Sequence, residues 1–168
     1  MKTLIVYGSK YGCTEKCSNV LKGKLNGEAA VVNIKKDIIP DMNSYDNIVI
    51  GGSIYAGRIQ KNITEFCLKN ADMLKNKKIG IFVCCMNQGE KAIEQLNSCF
   101  PNELISMATV KEHFGGGFIF SKMNFFERSI IKMVSKKQNK GSKVDFSKDI
   151  LNINEENIKR FAQLMNNK

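Results

Sequence analysis

The fold of this chain is decided by the stretch TLIVYGSKYGCT, residues 3–14. Residues 3–7 form an apolar run with β-branched side chains, which is typical of a strand buried on both faces of a sheet. Residues 8–14 contain two glycines and the hydroxyl side chains of a serine and a threonine, and apolar residues then recur at helical spacing as far as residue 25. The sequence therefore predicts a strand, a loop and a helix in that order.

The loop over residues 8–14 has the composition of an anion-binding turn. Its glycines allow tight backbone turns, and the hydroxyls of Ser9 and Thr14 can donate hydrogen bonds to phosphate oxygens. The helix that follows would add its unpaired N–H groups and the positive end of its dipole. The loop matches neither the P-loop nor the dinucleotide fingerprint, so a plain glycine-rich turn remains the alternative to a phosphate site.

Strand and helix patterns alternate along most of the chain. Apolar runs predict four further strands, at residues 29–34, 47–50, 79–84 and 105–110. Helical spacing predicts three further helices, at residues 63–74, at about 89–99 and from Asn154 onward. This alternation implies one parallel sheet, whose ligand loops lie beyond the carboxyl ends of the strands. We expect a site built from a first loop (8–14), a second loop (52–58) and a third loop (84–89).

Composition favours one folded globular domain over residues 1–168. Hydrophobic residues make up 43% and charged residues 25%, which argues against disorder and coiled coil. No apolar run approaches the roughly 20 residues needed to cross a bilayer, and the first residues lack a signal-peptide pattern, so we expect a cytoplasmic location. The six cysteines lack CxxC spacing, so we expect neither disulfides nor a metal site, and we expect His113 to be a satisfied or exposed loop histidine.

Residues 113–153 break the alternation and carry much of the positive charge. The chain has 26 Lys and Arg against 16 Asp and Glu, a formal charge of +10, and residues 122–148 hold eight basic and two acidic side chains. Charge of this sign favours anionic partners, but the aromatic residues here do not interleave with the basic ones, so we expect no nucleic acid. Helical spacing predicts an apolar stripe made of Met123, Phe126, Ile130, Met133 and Val134. Such a helix over residues 121–143 would contact an anionic membrane, a partner or its own sheet.

The pattern Ser9-x-Tyr11-Gly12-x-Thr14 after an N-terminal strand resembles the FMN phosphate loop of the flavodoxin family. The resemblance covers most of the chain. It implies an α/β three-layer sandwich with helices on both faces of a five-stranded parallel sheet in the order 2-1-3-4-5, of which flavodoxin is the standard example. It also implies FMN as the cofactor, and the basic segment before the last helix would be an addition to that fold.

Two further segments are similar to a narrower group, the menaquinone-dependent protoporphyrinogen oxidases. They are residues 49–57 and residues 126–133, and the second lies where carrier flavodoxins have no basic segment. The resemblance implies an FMN-dependent oxidoreductase that passes electrons to a quinone or a protein partner. A non-enzymatic electron carrier and a flavin-free binding module remain the alternatives, and the sequence leaves the number of subunits open.

By this resemblance, all three loops would contact FMN. The first loop would hold the phosphate, and the other two would flank the isoalloxazine ring, with Tyr55 as the stacking residue and Tyr11 as its rival. Backbone N–H groups of Gly57 and Gly89 would stabilise negative charge on the reduced ring. The candidate residues are Ser9, Lys10, Tyr11, Gly12, Cys13 and Thr14, then Ser53, Ile54, Tyr55, Ala56 and Gly57, and finally Cys84, Cys85, Met86, Asn87 and Gly89. No catalytic residue is predicted, and residues 121–143 are expected to lie apart from the FMN loops.

Overall fold

A computed structural model describes residues 1–129, 133 and 148–167 of the chain. Within this described part, parallel strands form the main sheet in the order β2-β1-β3-β5-β6, with the short strand β4 added antiparallel to the end of β3. The strands are β1 (Lys2–Gly8), β2 (Glu28–Asn33), β3 (Asn47–Tyr55), β4 (Arg58–Ile59), β5 (Lys78–Cys84) and β6 (Val110–His113). Apart from β4, this is the predicted order 2-1-3-4-5.

Helices cover both faces of the sheet, as predicted. They are α1 (Cys13–Lys22), α2 (Lys61–Lys69), α3 (Ala71–Leu74), α4 (Glu90–Cys99), α5 (Asn102–Met107), α6 (helical residues 125–129) and α7 (Glu155–Asn166). Successive side chains of a strand point to opposite faces, so Ile5 shares one apolar cluster with residues of α1 and α7, while Leu4 and Val6 share another with residues of α2, α4 and α5. These three residues of β1 are fully buried, which explains the uninterrupted apolar run.

The fifth strand lies further along the chain than the sequence predicts. Residues 105–107 end helix α5, and β6 begins only at Val110, where it pairs with Gly80. The 105–110 prediction was wrong because these apolar side chains pack on the core from a helix and the turn that follows it. The sequence shows no strand signal for Val110–His113, because its polar and charged residues interrupt the apolar run.

His113 is a buried strand residue rather than a loop residue. Its Nδ1 lies 3.2 Å from Glu112 Oε1, and the Glu112 carboxylate also accepts hydrogen bonds from Asn157 and Arg160 on α7. The buried carboxylate therefore has its hydrogen bonds satisfied inside the protein, which is the condition for burying a charge at tolerable cost. This cluster fixes α7 to the edge of the sheet.

Residues 115–153, which we name the excursion, follow β6, and their two ends lie side by side. Its ends form an antiparallel pair, β7 (Gly115–Phe118) and β8 (Ile150–Ile153). The Cys85 N–H donates to the Gly115 carbonyl at 2.9 Å, which ties β7 to the end of β5. A Cβ atom on Gly116 would lie 2.3 Å from the Cys85 carbonyl oxygen, so this close approach requires glycine.

The apolar stripe predicted for this segment loses its first member, because Met123 lies outside helix α6. Met123 is buried in the turn before α6, because Asn124 and Glu127 form a reciprocal cap that starts the helix after it. Phe126 and Met133 are exposed, while Ile130 and Val134 lie outside the described residues. None of the helices in the described ranges combines the length and apolar character that crossing a bilayer requires.

Candidate functional site

The first loop ends at the N-terminus of α1, which no side chain caps. Gly12 adopts a left-handed conformation with φ of 103°, and its N–H donates to Ser9 Oγ at 3.0 Å. The first intrahelical bond from the Lys16 N–H to the Gly12 carbonyl leaves the earlier N–H groups of the helix without an intrahelical partner. These donors and the helix dipole suit a phosphate group.

The second loop meets the first through Thr14 and Ser53. Both side chains are buried, and their hydroxyl oxygens lie 2.5 Å apart. The Ser53 N–H donates to Gln60 Oε1 at 3.1 Å, while the buried Gln60 Nε2 has no hydrogen-bond partner among the described residues. An orphaned buried donor is costly unless a ligand accepts from it, so the donors gathered here fit an oxygen-rich cofactor such as FMN.

Tyr11 of the first loop and Tyr55 of the second loop form an aromatic pair. Their ring centroids are 5.7 Å apart with the planes at 81°, and Lys10 Nζ lies 5.1 Å from the Tyr11 centroid and 6.0 Å from that of Tyr55. Burial raises the pKa of both phenols, so both stay protonated at neutral pH. Tyr11 is 7% exposed, whereas Tyr55 is only half-buried, which leaves Tyr55 as the ring more open to a ligand.

The expectation that the basic segment lies apart from the FMN loops is wrong. Residues 119–129, which we name the strap, pack on Tyr11 through Ile119, Phe120 and Met123. Glu127 in the strap forms an ion pair with Lys10, and hydrogen bonds from Lys10, Tyr11 and the Asn124 backbone lower the pKa of Glu127 to about 2. The first loop and the strap are therefore parts of one site.

An open groove of about 600 Å³ runs between the strap and α1. Lys122 lies on its wall, with Nζ 3.5 Å from the position of a Cβ atom on Gly12. Sequence reasoning missed Lys122, Glu127 and Gln60 as site residues. Only the Asn124-to-Glu127 capping spacing carried a signal, because it marks where α6 begins.

The rest of the second loop is a tight hairpin between β3 and β4. Tyr55 pairs with Arg58 across Ala56 and Gly57, whose φ angles are 47° and 77°. This two-residue turn projects Ala56 and Gly57 into solvent, and half-buried Ile54 precedes Tyr55 on β3.

The third loop divides between the core and the surface. Met86 is exposed, the Asn87 amide donates to Gln95 of α4 at 2.9 Å, and Gly89 precedes α4 with φ of 56°. Cys84 and Cys85 are buried on opposite faces of the sheet, as predicted for neighbours on a strand. The structure therefore places Cys84 beside Cys13 of the first loop, whereas residues 86–89 lie exposed at the surface.

Three thiols converge beneath the first loop. The sulfurs of Cys13, Cys17 and Cys84 all lie within 4.8 Å of one another, and all three residues are buried. Hydrogen bonds from the Cys17 and Cys84 thiols hold the pKa of Cys13 well below its usual value. Sequence reasoning missed this cluster because Cys84 comes from a distant strand that the fold brings against α1.

Comparison with known proteins agrees with this architecture. The family model for the flavodoxin domain matches residues 4–145. Protoporphyrinogen IX dehydrogenase (quinone) from Escherichia coli is 25% identical over 171 residues, which cover 97% of this chain and 93% of that protein.

Two solved structures share the fold at low sequence identity. A flavodoxin from Streptococcus pneumoniae superposes with a TM-score of 0.61 at 15% identity, over 98% of this chain and 97% of that one. A metal-soaked flavodiiron core from Synechocystis gives a TM-score of 0.57 at 15% identity, over 98% of this chain but 36% of that longer one. The family match supports FMN as the cofactor, and the uncapped helix with its neighbouring hydroxyls fits that group. On its fold, its first loop and the extent of the family match, this chain belongs to the flavodoxin domain family.

Proposed function

We propose that this chain is an FMN-dependent oxidoreductase of the protoporphyrinogen dehydrogenase type, passing electrons from a reduced substrate to a quinone or a redox protein. The observation that carries the proposal is the similarity to the Escherichia coli dehydrogenase over nearly the whole of both chains. A similarity of this extent includes the excursion, which distinguishes the chain from a minimal flavodoxin sheet. We further propose that the protein works in the cytoplasm.

In this function the chain's own residues bind and orient the cofactor. FMN, when bound, supplies the electron transfer between donor and acceptor. The α1 N–H groups and the hydroxyls of Ser9 and Thr14 would hold the phosphate, and Tyr55 would pack on the ring. The N–H groups of Gly57 and Gly89 would donate to the ring, and the strap covers the Tyr11 side chain.

The test is quinone-coupled oxidation of a porphyrinogen by the FMN-loaded protein without oxygen. We expect porphyrin fluorescence to rise in step with quinone reduction, with the FMN-free protein as the control. Full flavin occupancy with no porphyrin formation would contradict the proposal. Reduction of an acceptor protein by the flavin in that same preparation would then favour a non-enzymatic electron carrier.

We also propose that the strap rests on an anionic membrane surface, where a lipid-soluble quinone would be reached. Phe125 and Phe126 are 87% and 73% exposed, and the sequence around them, residues 122–148, holds eight basic side chains. Exposed aromatic side chains flanked by basic ones are typical of peripheral membrane contacts. Quinone access is the role this surface would have.

Liposome sedimentation tests the membrane contact. The double variant Phe125→Ser/Phe126→Ser should bind anionic vesicles less than the parent, whereas Ile38→Ser, which removes a side chain 93% exposed elsewhere, should not. Binding of the parent should weaken with salt, since charge attraction is screened over about 10 Å at 0.1 M. Equal sedimentation of the parent and the double variant would refute the contact.

A further inference from the structure

Three buried thiols from two elements lie close together in the core. Cys13 and Cys17 lie one helical turn apart on α1, and Cys84 reaches the same space from the end of β5. Their exposures are 5%, 0% and 3%. From this convergence we propose that Cys13, Cys17 and Cys84 bind one soft monovalent cation, Cu(I), beneath the first loop.

The three sulfur ligands favour a soft metal ion. Thiolates prefer Cu(I), zinc and iron–sulfur clusters over hard cations. Structural zinc takes four ligands in a tetrahedron, and within the described ranges no fourth Cys, His, Asp or Glu joins the group. A three-sulfur site in an apolar pocket satisfies Cu(I), which accepts low coordination numbers.

The spacing of the sulfurs allows such a site with little rearrangement. For metal–sulfur bonds of about 2.3 Å, three sulfurs around one ion in a plane would lie roughly 4.0 Å apart. The sulfurs here lie within 4.8 Å of one another, so each needs to move by less than the width of an atom. The thiols share an apolar cluster with Ile5, Phe82 and Phe114, whose side chains supply no competing ligand.

Metal binding at this site balances in protons and electrons. Each thiol that becomes a thiolate ligand releases one proton to solvent, and copper stays in the +1 state, so no electron is transferred. Three thiolates around one Cu(I) carry a net charge of −2, and the Cys13 thiolate lies in the first turn of α1, where the positive end of the helix dipole acts on it. This inference does not rest on the proposed oxidoreductase activity.

A chelator competition tests the site on the FMN-loaded protein. With ascorbate as reductant and without oxygen, Cu(I) held by bicinchoninate is titrated with protein, and Zn(II) is titrated in parallel. We expect one Cu(I) per chain to leave the chelator, with zinc bound far more weakly. Failure to take Cu(I) from the chelator, or tighter binding of zinc, would overturn the proposal.

Matched cysteine variants locate the copper. Cys84→Ser should lower the Cu(I) affinity by roughly a hundredfold or more, because a hard hydroxyl replaces a soft ligand. Cys67→Ser is the control, since Cys67 is also a buried free thiol but packs on the other face of the sheet. An equal loss in both variants would contradict the assignment.

X-ray absorption at the copper edge of the parent protein decides the question even if Cys84→Ser fails to fold. The expected spectrum has three sulfur neighbours and no nitrogen or oxygen neighbour. Nitrogen or oxygen ligands would place the copper elsewhere and overturn the proposal.

Discussion

The Thr14 hydroxyl lies in the first turn of α1, where it meets Ser53 at the carboxyl edge of the sheet. Thr14→Ala should weaken FMN binding by roughly ten- to a hundredfold, because a hydrogen bond to a charged group contributes about 1.5 to 3 kcal/mol. Thr14→Ser keeps the hydroxyl and should bind FMN much as the parent does. Calorimetry with FMN measures both, and unchanged affinity in Thr14→Ala would remove the first loop from the site.

Ala56 is a second residue whose backbone can be tested, because its φ of 47° is left-handed. A non-glycine residue pays roughly 1 to 2 kcal/mol there, and asparagine tolerates this region better than alanine does. Ala56→Asn should therefore raise the free energy of unfolding by about 1 kcal/mol, which corresponds to roughly 2 to 4 °C in Tm for a chain of this length.

Thermal unfolding of the FMN-free protein checks the Ala56 prediction without interference from the cofactor. Ala56→Val is the matched control, since a β-branched side chain fits this region poorly and should lower the Tm. A decrease in both variants would mean that the left-handed conformation is not what limits stability at this turn.

At the level of single residues, the sequence predicted the local part of the site and not the part that the fold assembles. Ser9, Gly12 and Thr14 were readable because a short loop between a strand and a helix fixes them. Lys122 comes from a separate segment and carries no local mark of its role. Its place beside Gly12 depends on how the strap returns over the first loop.

At the scale of elements, the part of the strap that buries Tyr11 can be separated experimentally from the rest of the excursion. Ser121 donates from its N–H and its hydroxyl to the Asp149 carboxylate at 2.9 and 2.8 Å, so the excursion is closed near its base. Replacing residues 125–147 with a short Gly-Ser linker keeps this closure and the burial of Tyr11 by residues 119–123. FMN affinity should fall by no more than about fivefold, the scale of one lost surface ion pair.

The same replacement should remove vesicle binding and quinone-coupled turnover if the proposed function holds. Flavin fluorescence measures occupancy, and sedimentation and porphyrin formation measure the other two properties. A larger deletion that also removed residues 121–124 would uncover Tyr11 and confuse these effects. Full turnover in the linker variant would show that the excursion does not distinguish this chain from a carrier.

Strands and helices could be predicted where the pattern of apolar residues in the sequence matches the burial of those residues in the structure. The strands β1, β3 and β5 are buried on both faces, so their apolar runs have one reading. The edge strand β6 carries Lys111, Glu112 and His113, so it lacks an apolar run. The buried Glu112 carboxylate is tolerated there because Arg160 of α7 pairs with it, and the sequence gives no sign of this contact. Pairing of β7 with β8 depends on glycines that permit close backbone contact, which composition alone does not reveal.

For the whole molecule, the six cysteines are all free thiols, and five of them are buried. Stability should therefore come from packing, and for the copper-free protein excess reductant together with a chelator should leave the Tm within a few degrees of the untreated value. Differential scanning calorimetry measures this, with reductant alone and chelator alone as controls. A collapse of the transition would show that a cross-link or a metal holds the fold together.

The overall topology was the most predictable feature, because alternating strands and helices leave few arrangements open. Alternation predicted a parallel sheet with right-handed crossovers, and its strand order came from the resemblance of the first loop; the structure has that order as β2-β1-β3-β5-β6. The contact between the strap and the first loop was not predictable, since it depends on side-chain packing between segments far apart in the chain.

The side-by-side pairing of β7 with β8 makes the excursion an exchangeable module. Because β7 and β8 lie side by side, the distance between the two ends of the excursion stays the same however many residues lie between them. Lengthening such a loop costs little, about 0.6 kcal/mol for each doubling. Engineered hybrids could therefore carry segments of different length and sequence between β7 and β8 on the same sheet.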